Sequence, residues 1–108
     1  MEEITYRDFA KLDLRIGTIE KVETVKGADK LYKLTVNLGK EKRVLVAGLR
    51  PFYDIVDVQG KQIVVVVNLK PKVIKGIPSQ GMLLAADDGK TVALLRPDRR
   101  VENGAKVL

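Results

Sequence analysis

The sequence contains no cysteine, no histidine and no tryptophan among its 108 residues. Without cysteine the chain has no disulfide framework and no thiolate chemistry. Without cysteine and histidine it also lacks the usual zinc ligands, the Cys–His and Ser–His nucleophile pairs and the commonest general base. No spacing in the sequence pairs a carboxylate with a lysine for acid–base work. The composition therefore predicts a protein that is not an enzyme and that uses neither a metal nor a cofactor.

Long apolar runs are also absent. The longest, Ile63–Val67, is far too short to span a bilayer. The N-terminal stretch MEEITYRDF is acidic and polar, unlike a secretory signal or a basic transit peptide. Chain length and ordinary hydrophobic content favour one domain over residues 1–108. We expect a cytoplasmic protein without a membrane partner.

Positive charge is distributed unevenly along the chain. The chain has 20 basic and 14 acidic side chains, a formal net charge of +6. No acid occurs between Val58 and Ala86, and the lysines of that stretch are Lys61, Lys70, Lys72 and Lys75. A basic excess alone serves solubility as well as binding, but its segregation from acids favours an anionic partner.

Aromatic residues make up only 5% of the chain. General binders of single-stranded nucleic acid stack successive bases on aromatic platforms. Too few aromatics are present for such a surface, and Phe9 is expected to face the core. Recognition of the backbone and shape of a folded RNA is therefore the better prediction, and no DNA partner is expected.

Two short helical segments are predicted. Residues 5–11 begin with the capping residue Thr5, and Asp8 follows three positions later in a capping-box arrangement. Midway along the chain, Pro51 suits the first turn of a short helix, which the β-branched residues from Ile55 onward keep from extending.

Most of the remaining chain has the two-residue period of β-strands. Tyr32–Leu38 alternates clearly, and Gln62–Val67 reads as a central strand buried on both faces. Gly17 stands at a change of apolar phase, which indicates a bulge or sharp bend. Asp88-Gly89 predicts a type I′ hairpin turn. Further strands are predicted over 43–47, 82–86 and 91–95, and a loop over 25–30.

These elements predict an all-β fold. Five to six short strands, one N-terminal helix and one helical turn midway describe a Greek-key barrel of the OB type. An SH3-like or other small barrel is the alternative.

Several stretches together resemble the tRNA-binding domain that is appended to methionyl-tRNA synthetases and that also occurs as a free-standing protein. They are DFAKLDLRIGTIEKVE, ADKLYKLTVNLG, LVAGLRPFY, VVVVNLKPKVIKGIPSQGMLLAADD and ALLRPDRRVENGAKV. The resemblance implies an OB-fold homodimer that binds the outer corner of the tRNA L without reading an anticodon, with methionyl-tRNA synthetase as a further partner. The sequence leaves open both the free-standing and the appended context, and the tRNA that is preferred.

The family's binding signature is carried over residue by residue. It falls on Asn68, Lys72, Gly76, Ser79 and Met82. Lys70 and Lys75 would add charge beside it, and Lys30 and Tyr32 would lie on a neighbouring loop and strand.

The residues themselves also allow structural roles for this signature. Gly76 is equally a turn residue, and Ser79 suits a hydrogen bond within a loop. Met82 begins an apolar strand, which favours core packing, and Asn68 suits a strand end.

The two ends of the chain carry apolar residues that would plug the barrel or form a two-fold interface. They are Phe9, Val101, Val107 and Leu108. Near the C-terminus, Arg96, Arg99 and Arg100 are interpreted as neutralised by Asp98 and Glu102, in a tail surface or an interface.

The prediction is thus a non-catalytic, structure-specific tRNA-binding protein acting as a homodimer. One alternative is a peptide-binding export chaperone of the CsaA type, which resembles this family in fold but in which ADKLY is not expected. Another is a pure dimerisation appendage that contacts RNA only incidentally.

Overall fold

A computed structural model describes the whole chain, residues 1–108, as two short helices and nine strands. The helices are α1 (Tyr6–Phe9) and α2 (Ile55–Val58). The strands are β1 (Leu14–Val25), β2 (Ala28–Asn37), β3 (Lys42–Ala47), β4 (Gln62–Val66), β5 (Lys72–Ile74), β6 (Ile77–Ser79), β7 (Met82–Leu83), β8 (Ala85–Asp87) and β9 (Val92–Leu94). The predicted all-β class, with a short N-terminal helix and a helical turn midway, is confirmed. The midway helix begins at Ile55 and not at Pro51, so the β-branched residues expected to limit it are the ones that form it.

Five strands form one antiparallel sheet in the order β3-β2-β1-β4-β7, and β5–β6 and β8–β9 are separate hairpins. Strand β3, at one edge of the sheet, is also hydrogen-bonded to Gln80, which lies between β6 and β7. The Gln80 backbone N–H donates to the Val44 carbonyl at 2.8 Å. The Gln80 side chain accepts from the Val44 N–H at 3.0 Å. These two bonds bring the open edges of the sheet together and close it into a barrel.

Strand β1 bends so that it serves two partners. Its first half, Leu14–Thr18, pairs with β4, and its second half pairs with β2 with a register shift between Ile19 and Lys21. At Gly17 an added Cβ would lie 2.6 Å from Val36 Cγ1. The predicted irregularity exists but lies between Ile19 and Lys21, because pairing with β4 is regular through Gly17. Glycine is nevertheless needed at position 17, because β2 crosses so closely there.

Strand β4 is buried on both faces, as predicted. Ile63 and Val65 point into the main core, while Val64 and Val66 pack in a second cluster with Leu14. The C-terminal tail covers this second cluster, because its backbone bonds to β1 on both sides of residue 106. Full burial of each such aliphatic side chain contributes roughly 1.5–3 kcal/mol, so the tail is a structural part of the barrel.

The helix signal at the N-terminus is confirmed. Thr5 Oγ1 accepts from the Asp8 N–H at 3.1 Å, satisfying one of the free donors of α1. The helix buries no residue, so the expectation that Phe9 faces the core is wrong; its side chain is 39% exposed. Neither helix has the length and apolar character that crossing a bilayer requires.

Three local predictions are corrected. The predicted loop over 25–30 is a two-residue turn, because pairing of β1 with β2 continues to Val25 and Ala28. No strand was predicted over residues 69–81, yet this stretch forms the β5–β6 hairpin. Asp88 has no positive φ, so the β8–β9 hairpin does not turn by the predicted type I′ geometry. Instead, Asp88 Oδ1 accepts from the backbone N–H groups of Lys90 and Thr91 at 2.9 and 2.8 Å.

Candidate nucleic-acid interface

The basic stretch 68–82, here called the lysine segment, is built around the hairpin β5–β6. Its turn consists of Lys75 and Gly76, with φ of 50° and 78°, between the paired residues Ile74 and Ile77. Positive φ at both central positions is the requirement of a type I′ turn, and Gly76 meets it without strain. The turn role of Gly76 is therefore established, and Lys75 is held at the tip of the hairpin.

Arg43 holds both ends of the lysine segment. Its Nη1 donates to the carbonyl of Val67, just before the segment, and to the carbonyl of Gln80 at 3.2 Å. Glu41 accepts from Arg43 Nε at 2.9 Å and orients the guanidinium. Sequence reasoning missed this residue, because nothing local to the start of a strand signals contacts with residues 24 and 37 positions away.

Ser79 attaches the hairpin to β3. Its side chain is buried, and its Oγ accepts from the Val46 N–H at 3.0 Å and donates to the Gly81 carbonyl at 3.1 Å. Both bonds are internal, so the placement of Ser79 favours a structural role. Its contact with RNA stays a prediction.

Asn68 connects the start of the segment to the chain after α1. Its Oδ1 accepts from the Asp13 N–H at 2.8 Å, and its Nδ2 donates to the Lys11 carbonyl at 2.6 Å. The residue is exposed, but its amide is already engaged at both atoms. The side chain thus positions the segment, and a direct contact with RNA stays a prediction.

The two residues from ADKLY lie in different surroundings. Tyr32 is 4% exposed, and its hydroxyl donates to the Tyr53 carbonyl at 2.7 Å, so its ring belongs to the core. Lys30 is exposed, and its carbonyl accepts from the Arg50 N–H at 3.3 Å. The structure thereby places Arg50, a residue that the sequence interpretation did not single out, beside Lys30.

Met82 does not pack in the core, contrary to the expectation from its position in an apolar strand. Its backbone pairs with Val66, yet its side chain is 51% exposed. Leu69 and Val73 of the same segment are also exposed. An apolar component therefore accompanies the lysines on this surface.

The lysines of the site are free of ion pairs. The structure contains six salt bridges, formed by Lys11, Arg15, Lys21, Lys42, Arg43 and Arg99. Lys30, Lys70, Lys72 and Lys75 take part in none of them and are all exposed. Their charge is therefore available to a polyanion, because no internal acid has to be displaced first.

The residues predicted for a two-fold interface are mostly exposed. Phe9, Val101 and Leu108 present apolar surface, whereas Val107 is half-buried against the cluster of Leu14 and Val66. Val107 thus serves the barrel itself. Self-association through the other three stays a prediction.

Fold and surface together define a small β-barrel binding domain with an exposed basic hairpin. The chain belongs to the family described as putative tRNA binding domain, whose model matches residues 14–106.

The chain is 55% identical over 107 residues to a methionine--tRNA ligase of Pyrococcus horikoshii. This match covers 99% of the chain but only 15% of the ligase. Among solved structures, a MetRS-related protein from Pyrococcus horikoshii superimposes with a TM-score of 0.94 at 37% identity, with each chain covered completely. Chaperone CsaA from Bacillus anthracis superimposes with a TM-score of 0.91 at 31% identity, over 99% of this chain and 100% of that one.

Proposed function

We propose that this chain is a structure-specific tRNA-binding module of the OB type, without catalytic activity of its own. The observation that carries the proposal is the lysine segment, whose cations are unpaired and exposed and whose backbone is held by the contacts of Arg43, Ser79 and Asn68. Membership of the putative tRNA binding domain family supports the choice of tRNA among polyanions.

Binding follows from counterion release. A cation that neutralises a phosphate releases a condensed counterion, so affinity falls as salt concentration rises. The hairpin holds Lys72 and Lys75 on a frame that is ordered before binding, which reduces the entropy cost of association. Contact with phosphates along a folded backbone suits recognition of the outer corner of the tRNA L, because such contacts follow the shape of the RNA and need no stacking on aromatic side chains.

We further propose that the module serves a methionine--tRNA ligase, as a domain of it or as a separate protein beside it. The chain spans about 15% of the length of the ligase that it resembles. A binding module held next to a catalytic body raises the effective concentration of tRNA there. A homodimer formed through Phe9, Val101 and Leu108 would double the bound surface, and cytoplasmic translation is the setting in which it would act.

The test is a titration of the protein with folded tRNA across a salt series. We expect affinity to decline steeply with salt and to exceed the affinity for an unstructured oligonucleotide of equal length. Affinity that does not depend on salt, or that is equal for the two RNAs, would contradict the proposal.

Peptide binding is the second candidate function. The likeness to chaperone CsaA and the exposed side chains of Leu69, Val73 and Met82 favour it. A peptide array probed beside the tRNA titration separates the two functions. Saturable binding of apolar peptides, with no binding of folded tRNA, would select the chaperone.

A further inference from the structure

A second basic cluster lies on the loop 96–100, between β9 and the C-terminal tail. Its arginines border a cleft of about 150 Å³, here called the arginine cleft. Apart from the ring of Pro97, the side chains that line it are polar or charged. The residues around it are Gly60, Gln62, Arg96, Pro97, Asp98, Arg99 and Arg100.

The charge of this loop is neutralised only in part, because the one ion pair within it joins Arg99 to Asp98. Arg99 approaches Asp98 at 3.7 Å, but the two side chains are 87% and 94% exposed. An exposed pair at that distance contributes little, on the order of 0–1 kcal/mol. Arg96 and Arg100 form no ion pair, and neither does Glu102.

The loop is nevertheless anchored at both ends. Buried Gln62 donates from Nε2 to the Val101 carbonyl at 2.6 Å, and its Oε1 accepts from the Val101 N–H at 3.1 Å. At the other end, the Leu95 N–H donates to the Leu84 carbonyl at 3.1 Å. The guanidinium groups are therefore confined to a short loop whose ends are fixed, and a bound anion would relieve their mutual repulsion.

We propose that the arginine cleft binds a phosphate group of the RNA backbone, as a second contact on the RNA that the lysine segment holds. Guanidinium groups suit this ligand because their planar N–H fork matches phosphate oxygens bidentately. The proposal rests on the proposed function, since it assumes that a long polyanion is the ligand.

The distance between the two basic surfaces determines the kind of ligand that can contact both. Gln62, beside the cleft, is the first residue of β4, whereas the lysine segment follows that strand after Val67. Strand β4 alone spans roughly 13 Å between Gln62 and Val66 at about 3.3 Å per residue. A single phosphate cannot touch both surfaces, so the ligand is a chain of phosphates that passes along the barrel.

The test compares the double variant R96Q/R100Q with the unchanged protein in titrations of folded tRNA at several salt concentrations. We expect affinity at low salt to fall about ten-fold or more, and the slope of log affinity against log salt to decrease by about two. The matched control is Lys90→Gln, which removes one exposed, unpaired cation at the β8–β9 loop and should change neither quantity. A double variant with unaltered affinity and slope overturns the proposal.

A conservative variant and a footprint separate this contact from a structural effect. The variant R96K/R100K keeps both positive charges but loses the planar N–H pair of each guanidinium group. Its slope of log affinity against log salt should therefore equal that of the unchanged protein, while its affinity stays lower. In hydroxyl-radical footprinting, R96Q/R100Q should lose protection at nucleotides other than those lost by Lys72→Gln. Identical losses in the two variants would overturn the second contact.

Failure of the proposed function has a different signature. If the unchanged protein does not bind folded tRNA at all, both proposals about RNA are overturned together. If tRNA binding depends on Lys72 but not on Arg96 and Arg100, only the second contact is overturned.

Discussion

Ser79 Oγ accepts a hydrogen bond from the Val46 N–H at 3.0 Å, and through this bond the basic hairpin is attached to the edge of the barrel. Since Ser79 is buried, replacing it with alanine leaves a backbone donor without its partner. We expect Ser79→Ala to lower the free energy of unfolding by about 1–3 kcal/mol, measured by urea denaturation.

The same variant tests which role Ser79 has. If the hydroxyl only contacts RNA, Ser79→Ala should unfold at the same urea concentration as the unchanged protein and lose tRNA affinity alone. Thr91→Ala removes an exposed hydroxyl elsewhere and serves as the control for stability.

Lys72 is exposed and unpaired on β5, so its loss removes charge without disturbing an ion pair. We expect Lys72→Gln to weaken tRNA binding at low salt and to reduce the slope of log affinity against log salt by about one. Filter binding across a salt series measures both, with Lys90→Gln as the matched control. An unchanged slope would remove Lys72 from the phosphate contacts.

Lys75 occupies a left-handed conformation in the type I′ turn, which asparagine tolerates better than lysine. Lys75→Asn should therefore leave the melting temperature unchanged or raise it, while tRNA affinity falls because a cation is lost. Lys75→Val should lower the melting temperature, since a β-branched residue is strained at positive φ. Equal melting temperatures for the two variants would contradict this account of the turn.

Gly81 lies where the segment rejoins the sheet, with φ of 141° and space for no side chain. An added Cβ would stand 2.7 Å from the Val66 carbonyl oxygen, a backbone atom that cannot turn away. Gly81→Ala should lower the free energy of unfolding by clearly more than the roughly 1–3 kcal/mol of backbone strain alone. Gly89→Ala is the matched control, because Gly89 also has positive φ but open space around it.

Glu20, in the middle of β1, makes stability depend on pH in the acid range. The side-chain hydrogen bond from Lys42, followed by that from Asn37, holds the pKa of Glu20 below its ordinary value of 4.5. Because the folded pKa is depressed, this contribution to stability is present above pH 4.5 and is lost as pH falls through the folded value. The melting temperature of Glu20→Gln should therefore fall less steeply with decreasing pH below about pH 4.5 than that of the unchanged protein.

The control for this prediction is Glu2→Gln, which removes a carboxylate that forms no ion pair. Its melting temperature should follow that of the unchanged protein at every pH. The account of Glu20 fails if the two variants give the same pH profile.

Several elements could be predicted because their signals are local. Thr5 caps α1 through a residue three positions away, and the valine run of β4 is buried on both faces, as its composition indicates. The change of apolar phase near Gly17 indicated an irregularity in β1, which the structure has three residues further on, between Ile19 and Lys21. In each case, the residues that determine the geometry are close neighbours in the chain.

Other features could not be predicted, because distant residues determine them. The side chain of Met82 follows an apolar pattern, yet pairing at the rim of the sheet with Val66 leaves it exposed. The β5–β6 hairpin contains Pro78 and follows Pro71, and its strands are too short to show an alternating pattern. It is held by a hydrogen bond to β3 instead.

The sequence by itself determined the all-β class, the two helical segments and the separation of lysines from acids in the stretch after Val58. The spacing of apolar residues, the capping of a helix and the distribution of charge along the chain all depend only on residues that are near one another in the sequence. The tertiary structure decided which side chains of that stretch carry a charge without an ion pair and which hold its backbone in place. Asn68 holds the segment through Lys11, 57 positions away, and Ser79 holds it through Val46, 33 positions away. Their structural role could not be predicted, because only folding brings such distant hydrogen-bonding groups together.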